Sequence, residues 1–209
     1  MKLIRQISFL SALVLIIFSF FACSVPEKTT NINLFSSKWE FYYDSVWYPT
    51  IVPGCIHTDL LKNNIIKDPF FRTNEDSVQW ISYRSWEYRT IFTKKDLMHF
   101  SNAEIVFEGL DTYAEVFLNG KKLDHQGGTN YTDNMFRKWI FPLHKKILLD
   151  KNILTVRFIP SILIEKSKAE TLPYPIPDTR ALSRKAPYQS GWDWGPKLIS
   201  CGIWKKVYF

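Results

Sequence analysis

Bulky and polar residues alternate in short runs along most of this chain. Trp86-Glu87-Tyr88-Arg89-Thr90-Ile91-Phe92 does so, and so does Glu104-Ile105-Val106-Phe107-Glu108. A period of two puts successive side chains on opposite faces of a sheet, so both runs predict strands with one face turned inward. Ala114 to Leu118 leads into Asn119-Gly120, a pair that tolerates the positive φ of a tight hairpin, and Lys121 to Asp124 returns. In Asn152 to Phe158, the residues Leu154, Val156 and Phe158 share one face, and Ile203 to Phe209 reads as a last strand. Helical signals are few. Thr58-Asp59-Leu60-Leu61 can start one short turn and Leu143 to Leu149 another. Many strands at short spacing, separated by turn residues, predict an all-β protein built as a β-sandwich.

The alternation breaks down over residues 171–202. Thr171 to Pro177 carries three prolines and is extended or polyproline-like, and Asp178 to Lys185 follows with mixed polarity. A long irregular excursion inside a compact domain points to function. Within it lies Gly191-Trp192-Asp193-Trp194-Gly195-Pro196, one carboxylate between two indoles. Glycines let the backbone turn sharply and the proline blocks a continuing helix. Indole planes cover the apolar C–H faces of sugars, and a carboxylate accepts hydrogen bonds from two hydroxyls. The competing reading is a buried tryptophan corner with a solvated Asp193. Trp39, Trp47, Trp80, Trp86, Trp139 and Trp204 fall mostly in strand-like runs and read as core or edge packing.

The N-terminus reads as a targeting segment. Lys2 and Arg5 precede an apolar run from Ile7 to Phe21, short for a membrane span, and Ala22 precedes Cys23. This pattern predicts a bacterial lipoprotein signal over residues 1–22, with Cys23 lipidated and Ser24 to Asn33 as a polar tether to a domain over residues 34–209. Phe20-Phe21 departs from the smaller aliphatic pair usual there, which leaves plain secretion as the alternative. The expected location is the bacterial cell envelope, with the membrane as a partner through the lipid.

Removing residues 1–22 takes Lys2 and Arg5 with it and lowers the net charge from +7 to +5. The excess is spread over doublets such as Lys94-Lys95 and Lys205-Lys206, so no basic stripe for nucleic acid is formed. Cys55 and Cys201 are left for a bridge or, as the favoured reading, two separate small hydrophobes. No nucleophile elbow, zinc-protease motif, paired-cysteine motif or phosphate loop occurs, and the four histidines are scattered. No cofactor or metal is expected. No pair of carboxylates announces the two-acid arrangement of a glycosidase.

Several stretches, taken in order, resemble the N-terminal domain of β-mannosidases of glycoside hydrolase family 2. They are Val52-Pro53-Gly54-Cys55-Ile56-His57-Thr58-Asp59-Leu60-Leu61, the Trp86 to Phe92 run, Gly109-Leu110-Asp111-Thr112 through Asn119-Gly120, Asp133-Asn134-Met135-Phe136-Arg137, and Arg184-Lys185-Ala186 running on to Gly195-Pro196 and Gly202-Ile203-Trp204. The resemblance implies a jelly-roll β-sandwich of the galactose-binding-like type. It implies that Asp193 hydrogen-bonds mannose hydroxyls, that Trp192 and Trp194 wall or brace the loop, and that Arg184 and Lys185 brace it. The implied ligand is a β-mannoside or mannose-containing glycan. The implied further partner is a catalytic barrel that carries both glutamates of a retaining mechanism. No catalytic residue falls within this sequence. The chain ends at Phe209 inside a strand-like pattern, which suggests a fragment without catalysis of its own; a stand-alone carbohydrate-binding envelope lipoprotein is the alternative.

Overall fold

A computed structural model describes residues 30–34, 37–97, 103–125 and 129–209, with only the backbone of Lys145. The targeting segment, Cys23 and most of the tether lie outside the described residues. Asn31 to Phe209 forms one compact unit.

The fold is a jelly-roll β-sandwich. One sheet has six strands in the order β2-β1-β3-β9-β6-β7: β1 Trp39–Tyr43, β2 Val46–Thr50, β3 Trp86–Thr93, β6 Ala114–Leu118, β7 Lys121–Lys122 and β9 Lys151–Phe158. A second sheet joins β4 (Ala103–Phe107), β8 (Trp139–Leu143) and β13 (Val207–Tyr208) in the order β13-β4-β8. A short pair joins β5 (Leu110–Asp111) to β12 (Gly202–Ile203). The pairings between these strands are antiparallel, and β3 and β9 run together from Trp86↔Phe158 to Thr93↔Lys151.

The core follows the predicted alternation. Trp86, Tyr88, Thr90 and Phe92 are buried along β3, and Asn152, Leu154, Val156 and Phe158 along β9. All but Thr90 and Asn152 join Ile105, Phe107 and Phe141 of the other sheet in one apolar cluster. Trp39, Trp86 and Trp139 are fully buried, and each indole N–H donates to a backbone carbonyl, of Leu34, Ile81 and Asn134 respectively. Burying a large ring therefore strands no donor. The outward side of the six-stranded sheet carries cross-strand ion pairs, Glu40–Arg89, Glu87–Arg157 and Glu115–Lys122.

Several local features differ from the sequence reading. Asn119 and Gly120 both take positive φ and close the β6–β7 hairpin, as expected, but the return strand is only two residues long. The last predicted strand splits. Gly202-Ile203 pairs with β5, whereas Val207-Tyr208 pairs with β4, because residues 204–206 carry the chain from one sheet to the other. Ile32 to Leu34 bonds alongside Val207 to Phe209, so the folded unit begins slightly ahead of Leu34. Helix α1 spans Ile56–Lys62, a one-turn α2 covers Asn74–Ser77, and α3 covers Ser161–Glu170. No helix was expected at α3, since its apolar residues Ile162, Leu163 and Ile164 are consecutive rather than spaced three or four apart. Leu143 to Leu149 contains one 3-10 turn, Lys145–Ile147.

One backbone crossing positions the site. Gly54 N–H donates to the Ile203 carbonyl and Ile56 N–H to the Cys201 carbonyl, so the segment before α1 lies flat against the one entering β12. A β-carbon on Gly202 would come within 2.6 Å of the Gly54 oxygen and 2.8 Å of the Cys55 Cα. Those are backbone atoms held from both sides and cannot withdraw. Gly202→Ala is expected to cost about 2 kcal/mol or more, as overpacking does, read as a lower denaturant midpoint at unchanged slope; an unchanged midpoint would refute the crossing.

Candidate functional site

The excursion after α3 contains a small hairpin. β10 (Ser190–Trp192) pairs antiparallel with β11 (Gly195–Lys197), in the register Ser190↔Lys197 and Trp192↔Gly195. Asp193 and Trp194 are therefore the two-residue tip. Gly191 supplies a φ of 85°, in the region a side chain resists. Both indoles stand out: Trp192 is 54% exposed and Trp194 82%. This is not a buried tryptophan corner. Asp193 is exposed, and its carboxylate has no partner among the described residues.

The hairpin is held from three directions. On its outer edge, Lys197 N–H donates to Glu75 Oε1 at 2.6 Å, and the Gln79 amide donates to the Lys197 carbonyl at 2.8 Å. On its inner edge, the Arg180 guanidinium lies 5.1 Å from the centre of the Trp192 ring and is paired with Asp178 at 2.7 Å. Asp178 also caps the 3-10 turn Thr179–Leu182 by accepting from Arg180 N–H.

The third hold is at the root and is buried. Lys185 Nζ donates to Asp111 Oδ1 at 2.5 Å and to the Ser200 carbonyl at 2.6 Å, with side-chain exposures of 6% and 5% for the ion pair. Asp111 Oδ2 accepts from the Gln189 amide at 2.8 Å, and Thr112 Oγ1 donates to Asp111 Oδ1 at 2.6 Å. Gln189 Oε1 in turn accepts from Ser200 N–H at 2.9 Å. His57 Nδ1 shares a 3.0 Å hydrogen bond with Ser200 Oγ. Burial, and then the Lys185 charge, lower the His57 pKa to about 4, so this ring is neutral at pH 7. The nearby Cys55 and Cys201 are both free thiols, and burial pushes the Cys201 thiol up.

Of the residues singled out in the sequence, Asp193, Trp192 and Trp194 come together at the tip. Lys185 sits at the root, and Arg184 is exposed beside it, its backbone carbonyl accepting from Met135 N–H at 3.0 Å. The sequence reading assigned no role to Asp111, Gln189, Ser200 or His57, nor to Glu75 and Gln79. Asp111 did carry a signal, as an acid in the mainly apolar stretch Leu110-Asp111-Thr112-Tyr113-Ala114. Glu75 and Gln79 carry none, because they reach the hairpin only through the fold.

The family profile described as glycosyl hydrolase 2 galactose-binding domain-like matches residues 31–205. The chain belongs to that family. Within it, the chain is similar to β-mannosidases. It is 33% identical to the β-mannosidase of Bos taurus over 195 residues, which is 86% of this chain and 21% of that protein. It is 36% identical to β-mannosidase B of Emericella nidulans over 167 residues, 75% of this chain and 19% of that one. The crystal structure of the β-D-mannosidase of Dictyoglomus thermophilum superposes with a TM-score of 0.77 at 39% identity, covering 86% of this chain and 22% of that one. This galactose-binding-like chain thus spans about a fifth of the length of the relatives it matches.

Two expectations test the root. Lys185→Met leaves the Asp111 carboxylate buried and uncompensated, and is expected to destabilise by about 3–5 kcal/mol. The double variant Lys185→Met, Asp111→Leu should recover part of that loss in a denaturation double-mutant cycle; strictly additive losses would show the pair to be uncoupled. For His57, the unfolded ring binds a proton near pH 6.5 and the folded ring only near 4. Stability should therefore fall as pH drops from 6.5 towards 4, by up to about 3 kcal/mol from this ring. Asp59, whose carboxyl burial raises, acts in the opposite direction in acid. The test is thus the difference between wild type and His57→Asn in chemical denaturation across that window, and equal pH slopes would refute it.

Proposed function

We infer that this chain serves as the sugar-binding N-terminal part of a β-mannosidase-type glycosidase, and that Asp193 accepts hydrogen bonds from hydroxyls of a terminal β-linked mannose. The observation that carries this reading is a partnerless, exposed carboxylate between two exposed indoles, at the tip of a hairpin locked at its base. A carboxylate at such a tip is free to take two hydroxyl donors, and Trp192 and Trp194 offer apolar planes for the sugar's C–H faces. Arg184 is exposed ahead of the hairpin. Lys185 acts from the buried root as a positioning residue rather than by touching sugar. The two carboxylic acids of a retaining mechanism belong to a catalytic barrel that receives this tip, and no residue of this chain takes a catalytic role. The similarity to β-mannosidases supports the substrate class.

The test joins residues 31–205 to the catalytic part of the Dictyoglomus thermophilum enzyme and follows hydrolysis of an aryl β-mannoside. The chimera is expected to be active. Asp193→Ala should lower its kcat/KM by about 10- to 100-fold, the worth of one or two hydrogen bonds to a charged group. The thermal midpoint should stay unchanged, since Asp193 supports nothing in the fold. An active chimera indifferent to Asp193→Ala would sink the assignment. Mannoside binding by the present chain alone, lost in Asp193→Ala, would favour a stand-alone carbohydrate-binding protein.

The location proposed is the bacterial envelope, with Cys23 carrying lipid. Radiolabelled palmitate should enter the wild-type chain and not Cys23→Ser; equal labelling of both would refute the anchor.

A further inference from the structure

A second site lies away from the hairpin tip. A small pocket opens where α3 begins, and Ser82, Arg84, Ser161 and Lys185 contribute to its wall. Ser161 is only 7% exposed, and its hydroxyl has no hydrogen-bond partner among the described residues. A buried hydroxyl without a partner is costly, so the native environment of such a group ordinarily supplies one.

The surroundings say what kind of partner fits. α3 is ten residues long, and its N-cap is Pro160, which offers no side-chain cap. The Leu163 and Ile164 N–H groups already donate to the Pro160 carbonyl, which leaves those of Ser161 and Ile162 at the helix start, and the aligned peptide dipoles give that end partial positive charge. The Arg84 guanidinium lies over the rings of Tyr43 and Trp86, at 4.8 and 5.3 Å, with no acceptor among the described residues. Lys185 Nζ spends two of its three hydrogens on Asp111 and Ser200. Against these two cations the pocket wall sets one carboxylate, that of Asp111.

We propose that this pocket binds a small monovalent anion of chloride size, held by Ser161 Oγ, the backbone N–H groups of Ser161 and Ile162 and the Arg84 guanidinium. The remaining wall includes Trp86, Ile159 and Pro160. That apolar share favours a weakly hydrated, polarisable halide over phosphate or sulfate, which demand hydrogen bonds on every side. The buried carboxylate of Glu165, one turn further along α3, adds a cost that grows with the charge of the anion.

The proposal is tested with bromide and chloride as probes. Crystals of the protein grown in sodium bromide and measured at the bromine absorption edge should show an anomalous peak within hydrogen-bond reach of Ser161 Oγ and Arg84. In solution, the thermal midpoint should rise with chloride when gluconate holds the ionic strength constant. The apparent dissociation constant read from that dependence should weaken at least about fivefold in Arg84→Gln or in Ser161→Ala. Arg84 is exposed and Ser161→Ala suits a helix, so neither change threatens folding. A peak together with weakened chloride dependence in either variant supports the site. A water without anomalous signal, an empty pocket, or a chloride dependence that neither variant alters overturns it.

Discussion

The Asp111–Lys185 ion pair is the constraint on which the rest of the site depends. It joins a two-residue strand of the sandwich to a loop 74 positions further along the chain. Taking both charges out of water costs several kcal/mol, and their attraction roughly returns it, so the pair is a weak source of net stability. Its effect is on position. A lysine ammonium and a carboxylate buried together tolerate no slippage, because any displacement leaves a charge unpaired. Gln189 and Thr112 fill the carboxylate's other acceptor sites, and Ser200 closes the ring through its carbonyl and its N–H. The network thereby sets where the loop leaves the sandwich and where it returns at β12.

Backbone contacts reinforce the same placement. Gly202 lies in β12 opposite Asp111 and against the backbone of Gly54 and Cys55. That contact brings α1 to the root of the loop, and with it His57, whose neutral ring meets Ser200. One glycine without a side chain thus lets three stretches of sequence meet within hydrogen-bond distance. The residues of Gly109-Leu110-Asp111-Thr112 and Arg184-Lys185-Ala186, far apart in the chain, are halves of one device.

The strands were legible in the sequence wherever one face met the core and the other met solvent. β3, β4, β6 and β9 all show the period of two, and the Asn119-Gly120 turn stands where its dipeptide indicates. The jelly-roll class came from the resemblance carried by the quoted motifs. What stayed hidden depends on long-range pairing. Ile203 to Phe209 looks like one strand until its two ends find different partners. α3 lacks a helical stripe because its two buried residues, Ser161 and Glu165, are both polar. The Ser190–Lys197 hairpin is too rich in glycine and tryptophan to read as a ladder. At the site, Asp193 and its indoles were visible as chemistry. Asp111 was visible only as part of a motif, and the Glu75 and Gln79 contacts were not visible at all.

The three-way hold on the β10–β11 hairpin has an entropic consequence. A free loop of this length loses about 1–2 kcal/mol of backbone freedom for each residue that becomes ordered when it meets a ligand. Here Glu75, Arg180 and the buried root have already taken most of that freedom away during folding. For the ligand proposed at Asp193, the backbone that carries the carboxylate is set beforehand, so less of the contact energy at the tip would be spent on ordering the loop.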